Sequence, residues 1–236
     1  MADHSTRVPG DLGFERHLDA FSHGHFLRLV NYHNTPPSQE ESLRSELTAL
    51  AEHFDTIGLA ELDAFFDTGV WPSDRPVFVP VFYEGYRNSA TVAAKVCDEL
   101  GLTAWFPICT GFVECPPAEQ EFYARSHWIG LVPEEVGQDR LAMTWDEIGE
   151  LSQRHVVTPH TASHVGINDI AAGSPDDFYR EIVEPKERMD AITGQSAPAF
   201  AWLHGSSYGL APAHDAALVD AGYRYLIANT LIHRIG

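Results

Sequence analysis

The 236-residue chain is 44% hydrophobic and 11% aromatic, an ordinary globular composition that can bury one sizeable core or two small ones. Its 34 acidic residues against 15 Lys and Arg give a formal charge of −19, a field that repels nucleic acid and polyphosphate, so no nucleic-acid partner is expected. No apolar run approaches the roughly 18 residues needed to cross a bilayer, and the start Met1-Ala2-Asp3-His4-Ser5-Thr6-Arg7 lacks the basic-then-apolar order of a secretory signal; the expectation is a cytoplasmic protein with no membrane partner.

Residues 1–25 read as an amino-terminal arm or first helix, and 26–236 as a single domain. Within it, apolar runs alternate with helical patterns, the signature of parallel βα units. The predicted strands are 26–33, 76–83, 103–109, 156–160, 199–204, 225–228 and 231–235, with Pro80 and Pro107 weakening two of them because each removes a ladder donor. The predicted helices are 38–54, 59–67, 89–100, 145–154, 175–193 and 212–221. Ser38 with Glu41 and Thr144 with Glu147 have capping-box spacing, and Gly101 follows Leu100 where a helix should stop. The acidic pairs Glu40-Glu41, Glu134-Glu135 and Asp176-Asp177 fall at predicted helix starts as solvated caps, and 111–143 reads as a surface excursion. Seven strands alternating with helices suit an α/β barrel better than an open sheet, which would put function at the carboxyl ends of the strands.

Three cysteines, Cys97, Cys109 and Cys115, are too few and too scattered for a disulfide scaffold and read as reduced thiols. Thirteen histidines are more than a chain of this length usually carries, which directs attention to a metal or acid–base site. The most informative string is Val157-Thr158-Pro159-His160-Thr161-Ala162-Ser163-His164, at the end of a predicted strand. Two histidines four apart share one face of a helical turn and can converge on one cation, with the hydroxyls of Thr161 and Ser163 behind them. A third ligand should come from another strand end. Phe82-Tyr83-Glu84-Gly85-Tyr86 supplies Glu84 there, and a His-His-carboxylate set leaves a position open for a water acidified by the metal. Trp105, Trp145 and Trp202 read as core and rim packing rather than a sugar-stacking platform.

The order of these strings resembles the NodB-homology polysaccharide deacetylases, or family-four carbohydrate esterases, across about 26–236. The matching elements are Asn31-Tyr32-His33-Asn34, the run from Arg75 to Tyr86, Thr103 to Gly111, Met143 to Ile148, and His160-Thr161-Ala162-Ser163-His164. The resemblance implies a distorted (β/α)7 barrel and a divalent metal, commonly zinc, with nickel, cobalt, iron or manganese as alternatives. It also implies a hydrolase that removes an acyl group from an amide nitrogen. Two departures stand out. Where the family has Asp-Asp-Gly, with the first Asp as general base and the second on the metal, this chain has Tyr83 and Glu84; where it has an Arg-x-Pro-Tyr-like string, this chain has Ala201, Leu203 and His204. Tyrosine, with a reference pKa of about 10, is a poor base near neutrality. Tyr83 is instead a candidate to orient substrate or donate to an oxyanion. His204 is a candidate for proton transfer by its position, and His233 in Leu231-Ile232-His233 matches the spacing of the family's catalytic-acid histidine.

With no export signal read, the expected substrate is a small molecule or a soluble amino sugar, neutral or cationic in view of the charge. The oligomeric state stays open. Two alternatives stand beside the hydrolase: another metal-dependent reaction at a carbon–nitrogen centre, such as elimination, cyclisation or guanidine hydrolysis, and a catalytically silent ligand-binding protein.

Overall fold

The computed structural model describes residues 24–236; the expected arm over 1–25, with His17 and His23, falls outside the described residues except at its end. All seven predicted strands form: β1 (Leu27–Tyr32), β2 (Val77–Phe82), β3 (Trp105–Ile108), β4 (Val156–Pro159), β5 (Ala199–Ala201), β6 (Tyr225–Ala228) and β7 (Leu231–Arg234). β1 to β4 make a parallel sheet in sequence order, and β5, β6 and β7 make a second sheet in which β7 runs antiparallel to β6. The sheets meet at two seams. β4 lies beside β5, joined through the Thr158 hydroxyl and the Ala199 carbonyl, and β7 lies beside β1, where the Leu29 N–H donates to the Thr230 carbonyl at 3.2 Å. The result is a distorted seven-stranded barrel whose ladder is interrupted twice.

One apolar cluster touches every strand and therefore fills the barrel: Leu29, Val77, Val79, Val81, Trp105, Val156, Ala199, Ala201, Tyr225 and Ile227, with Ile232 against it. Their neighbours along the strands, such as Phe78, Phe82, Phe106 and Val157, point outward against the helices. This two-sided burial explains why β2 reads as an unbroken apolar run; each large aliphatic side chain so buried stabilises the fold by about 1.5–3 kcal/mol. It also overrides the proline penalty, since Pro80 and Pro107 sit in register opposite Val30 and Thr158.

The surrounding helices are α1 (Glu40–His53), α2 (Leu59–Thr68), α3 (Ala94–Leu100), α4 (Thr110–Glu114), α5 (Gln120–Ser126), α6 (Trp145–Leu151), α7 (Pro175–Phe178), α8 (Glu184–Thr193) and α9 (Pro212–Asp220). Tight or wide turns break two of the predicted helices: π-helical turns at Ser89–Ala93 and Tyr179–Val183 precede α3 and α8. The Thr144–Glu147 capping box forms, and Gly101 closes α3 at φ 68°. The Ser38–Glu41 box does not. A 3-10 turn at Pro37–Gln39 leads into α1, and the Ser38 amide and hydroxyl both donate to Glu134 instead. Glu134-Glu135 is therefore no helix start; Glu135 is buried and paired with Arg87 at 2.8 Å. The excursion over 111–143 carries α5 and a satellite core of Tyr86, Phe112, Ala124, Ile129 and Leu141. Trp105 and Trp202 are buried and Trp145 packs against the outer core. The three cysteines are unpaired. Among the described residues no helix is long and apolar enough to cross a membrane.

Candidate metal centre

At the carboxyl end of β2 the chain continues into Tyr83 and then turns sharply at Glu84 (φ 67°) and Gly85 (φ 85°). Only a residue without a Cβ fits at 85, because a Cβ there would stand 2.9 Å from Ile108 Cγ2 on the next strand. The turn aims the buried Glu84 carboxylate into the barrel mouth. At the end of β4, His160 emerges just past Pro159, and the chain then loops through Thr161 (φ 61°) and His164 (φ 54°). The two histidines thus converge from a strand end and a left-handed loop, not from one face of a helical turn as their spacing suggested. Glu84, His160 and His164 are all buried, and their donor atoms lie within 4.8 Å of one another. No other such group of His, Cys, Asp and Glu occurs among the described residues.

The hydrogen bonds fix which nitrogens face the cluster. His160 Nδ1 donates to the Ala201 carbonyl at 2.9 Å, and His164 Nδ1 donates to the His127 carbonyl at 2.6 Å. A carbonyl can only accept, so both rings are held with Nδ1 protonated and Nε2 as the nitrogen left to face the cluster. His164 Nε2 is buried, lies 3.4 Å from Glu84 Oε1, and has no well-aligned hydrogen-bond partner. Burial, reinforced by the neighbouring His164 ring, lowers the His160 pKa to about 4, which keeps it a neutral donor at pH 7. Burial pushes the Glu84 carboxyl up, but the imidazoles of His164 and His33 beside it outweigh burial and hold the pKa at about 2. Two imidazoles turning Nε2 to one point and one ionised carboxylate are a donor set that fits a divalent cation, and an orphaned buried nitrogen is what a missing cation would leave.

His33 is the residue that sequence reasoning missed. It follows β1, whose Tyr32 pairs in register with Phe82 of β2, so His33 comes to lie beside Tyr83 and Glu84. Its Nδ1 donates to both Glu84 oxygens, at 2.8 and 3.0 Å, and its ring stacks on Tyr83 with centroids 5.6 Å apart. The bond to Glu84 raises the His33 pKa against the opposing effect of burial. The parallel register was the available signal: two strands ending together bring the residues just beyond them together.

Asn31, His33, Tyr83, Glu84, His160, His204 and Asn229 line a cavity of about 270 Å³ at this mouth. Two adjoining cavities, of about 490 and 460 Å³, share His204 and Gly205 with it, and the second is lined by His164 and Trp128. Tyr83 is buried and its hydroxyl has no hydrogen-bond partner among the described residues; burial and the Glu84 charge raise its pKa, so it stays a neutral phenol. His204 is exposed at the rim. Thr161 and Ser163 brace the loop rather than the imidazoles: Thr161 Oγ1 accepts the Val165 N–H, and the Ser163 hydroxyl donates to Glu181. His233 is not brought to the group. It pairs with Leu226 across the antiparallel β6–β7 ladder and so shares the outward face, where Leu226 packs with Phe200 and Trp202. The non-glycine residues with positive φ among those described are Glu84, Trp128, Thr161, His164, His204 and Asn229; five line these cavities and Thr161 lies in the loop between the two histidines. Such conformations cost about 1–3 kcal/mol each and collect where function demands a fixed geometry.

Solved structures share this barrel. IcaB from Ammonifex degensii superposes with a TM-score of 0.66 at 16% identity, over 86% of this chain and 85% of that one. A de-N-acetylase from Aggregatibacter actinomycetemcomitans gives 0.64 at 16% identity, over 89% of this chain and 91% of the other. A polysaccharide deacetylase from Bacillus cereus gives 0.59 at 16% identity, with 88% of this chain covering 60% of that one. The fold is that of the NodB-homology deacetylases. No family model and no curated protein sequence matches the chain. Within that deacetylase fold the strand ends carry Tyr83 and Ala201 where the family resemblance had placed an Asp and an Arg, and Ala201 serves the site through its carbonyl alone.

Proposed function

We propose that the protein is a metal-dependent hydrolase of the deacetylase type, cleaving the amide bond of an N-acyl group on a small molecule or soluble amino sugar. The observation that carries this reading is the locked tautomer of His160 and His164, which turns two lone pairs toward the ionised Glu84. Glu84, His160 and His164 would hold the cation; zinc suits two imidazoles and a carboxylate, with nickel, cobalt, iron and manganese as alternatives. When bound, it would polarise the acyl carbonyl and acidify a coordinated water.

The protein's own groups divide the remaining work. Tyr83, a neutral phenol facing the cavity whose hydroxyl has no partner among the described residues, donates to the substrate carbonyl oxygen as negative charge builds on it. Glu84 is the one carboxylate among the residues lining the 270 Å³ cavity, and it is committed to His33 and the metal, so proton transfer falls to imidazoles. His33 lines that cavity beside Glu84, and His204 at the rim protonates the departing amine. The test is elemental analysis of purified protein, followed by acetate release from N-acetylated amino sugars by wild type, Glu84→Ala, His160→Ala and His204→Phe. Metal in the wild type, loss of both metal and turnover in the first two variants, and loss of turnover alone in the third are expected. A metal-free wild type that releases no acetate removes the hydrolase and leaves a ligand-binding barrel, and full activity in Glu84→Ala removes the Glu84 metal centre.

A further inference from the structure

His164 reaches the cluster only because the backbone before it makes an improbable path. Thr161 and His164 both adopt left-handed conformations, and for a β-branched residue such as Thr161 that is a true outlier. Something must hold the loop there. One side is held by carbonyl bonds: Ala162 O accepts from Gly111 N at 2.8 Å, Tyr123 Oη at 3.1 Å and Cys109 Sγ at 3.1 Å. Gly111 is required for that approach, since a Cβ would stand 2.6 Å from the same oxygen.

The other side is held by a single buried carboxylate. Glu181 lies in the π-helical turn Tyr179–Val183, which swings it inward, and is 1% exposed. Its Oε2 accepts the amides of Ala162 (3.0 Å) and Ser163 (2.9 Å), and its Oε1 accepts the Ser163 hydroxyl and Arg180 Nε (3.0 Å). These amides belong to the two residues between the left-handed positions. We infer that Glu181 is a positioning residue for the metal centre: by clamping the Ala162 and Ser163 amides it fixes the loop that delivers His164 to Glu84 and His160. The inference rests on the reading of those three residues as metal ligands. Reach, not charge, is what the geometry demands, because two adjacent amides must meet one oxygen. A glutamine keeps one oxygen at that reach for the two amides and gives up only the bond from Arg180, whereas an aspartate, shorter by one methylene, does not reach.

The experiment compares wild type, Glu181→Gln, Glu181→Asp and Ser163→Ala. Zn²⁺ affinity is read by competition with a chromophoric chelator, the visible spectrum is recorded with Co²⁺ in place of Zn²⁺, and melting is followed without metal. Loss of a group that orients a metal ligand weakens binding about 10–100-fold. Glu181→Asp should fall in that range with an altered Co²⁺ spectrum, while Glu181→Gln binds within about threefold of wild type. Ser163→Ala, which keeps both amide bonds, should bind like wild type. Equal Zn²⁺ affinity and an unchanged Co²⁺ spectrum in Glu181→Asp overturn the role of Glu181 alone. A wild type that takes up no Zn²⁺ overturns the metal centre and this role with it. If Glu181→Asp does not fold, Glu181→Gln decides: an affinity more than tenfold below wild type refutes the clamp by reach.

Discussion

Replacing Glu84 by Gln in the metal-free protein isolates the electrostatics of the cluster from metal binding. Burial drives the Glu84 pKa up, yet the His164 and His33 imidazoles beside it bring it from an ordinary 4.5 to about 2. A carboxylate whose folded pKa is depressed stabilises the native state at every pH above its unfolded value, and that stabilisation disappears as pH falls through the window from about 4.5 to about 2. At about 1.4 kcal/mol per pKa unit the full effect is on the order of 3 kcal/mol. The raised pKa of His33 describes the same interaction from the other partner and is not counted again; the His33 side chain is 62% exposed, so water screens part of it and the figure is a ceiling. His33 adds the opposite edge: its share is complete below its unfolded pKa and fades as pH rises through the raised value. Urea unfolding in EDTA, from pH 7 down to 2.5, reads the effect directly. Wild type should lose up to about 2 kcal/mol more than Glu84→Gln between pH 5 and 2.5. Parallel pH profiles for the two proteins would refute the assignment of Glu84 as an ionised, hydrogen-bonded anchor.

Three further outcomes follow from the geometry. Tyr83→Phe removes an oxygen that has no protein partner, so stability and Zn²⁺ affinity should hold while kcat drops about 100-fold, the usual cost of losing an oxyanion donor; unchanged turnover would remove Tyr83 from the chemistry. Gly85→Ala forces a side chain onto a residue at φ 85° with Ile108 Cγ2 2.9 Å away, and should destabilise by about 1–3 kcal/mol in thermal or urea melts. Because Gly85 follows Glu84 directly, Zn²⁺ affinity should fall with it. His233→Leu alters the outward face of β7, where His233 Nε2 is buried and has no partner among the described residues, and should leave kcat/KM unchanged; a tenfold loss would return His233 to the site.

The strands were legible because a parallel barrel buries both faces of each strand and so writes itself as continuous apolar runs, as in Val77–Phe82. Glu84, His160 and His164 could be named for a related reason: polar residues directly after such runs must lie at strand ends. The path between the histidines could not be read. Spacing of four suggests a helix, whereas Thr161 and His164 are held left-handed by partners more than fifteen positions away in sequence, Glu181 among them. His33 was missed because its meaning depends on register, and so does the face of His233, which the β6–β7 register sets opposite the outward-facing Leu226. The Ser38 cap failed for the same kind of reason, since a distant glutamate competes for the hydroxyl that a local pattern assigns to the helix.

The interruption of the ladder between β4 and β5 has a chemical consequence. β5 pairs with β6 on one edge, so the carbonyls of Ala199 and Ala201 on its other edge would bond to a neighbouring strand if the barrel closed regularly. Instead the Ala199 oxygen takes the Thr158 hydroxyl, and the Ala201 oxygen takes His160 Nδ1. The seam thus leaves a main-chain acceptor free at the height of the cluster, and that acceptor decides which nitrogen of His160 faces Glu84. A main-chain oxygen on a buried strand cannot be lost by substitution of its own side chain, which explains how the position can carry Ala201 and still orient the ligand. The distortion of the barrel and the readiness of the His160 lone pair are in this sense one feature, and a change that zipped β4 to β5 would disarm the site without touching a ligand.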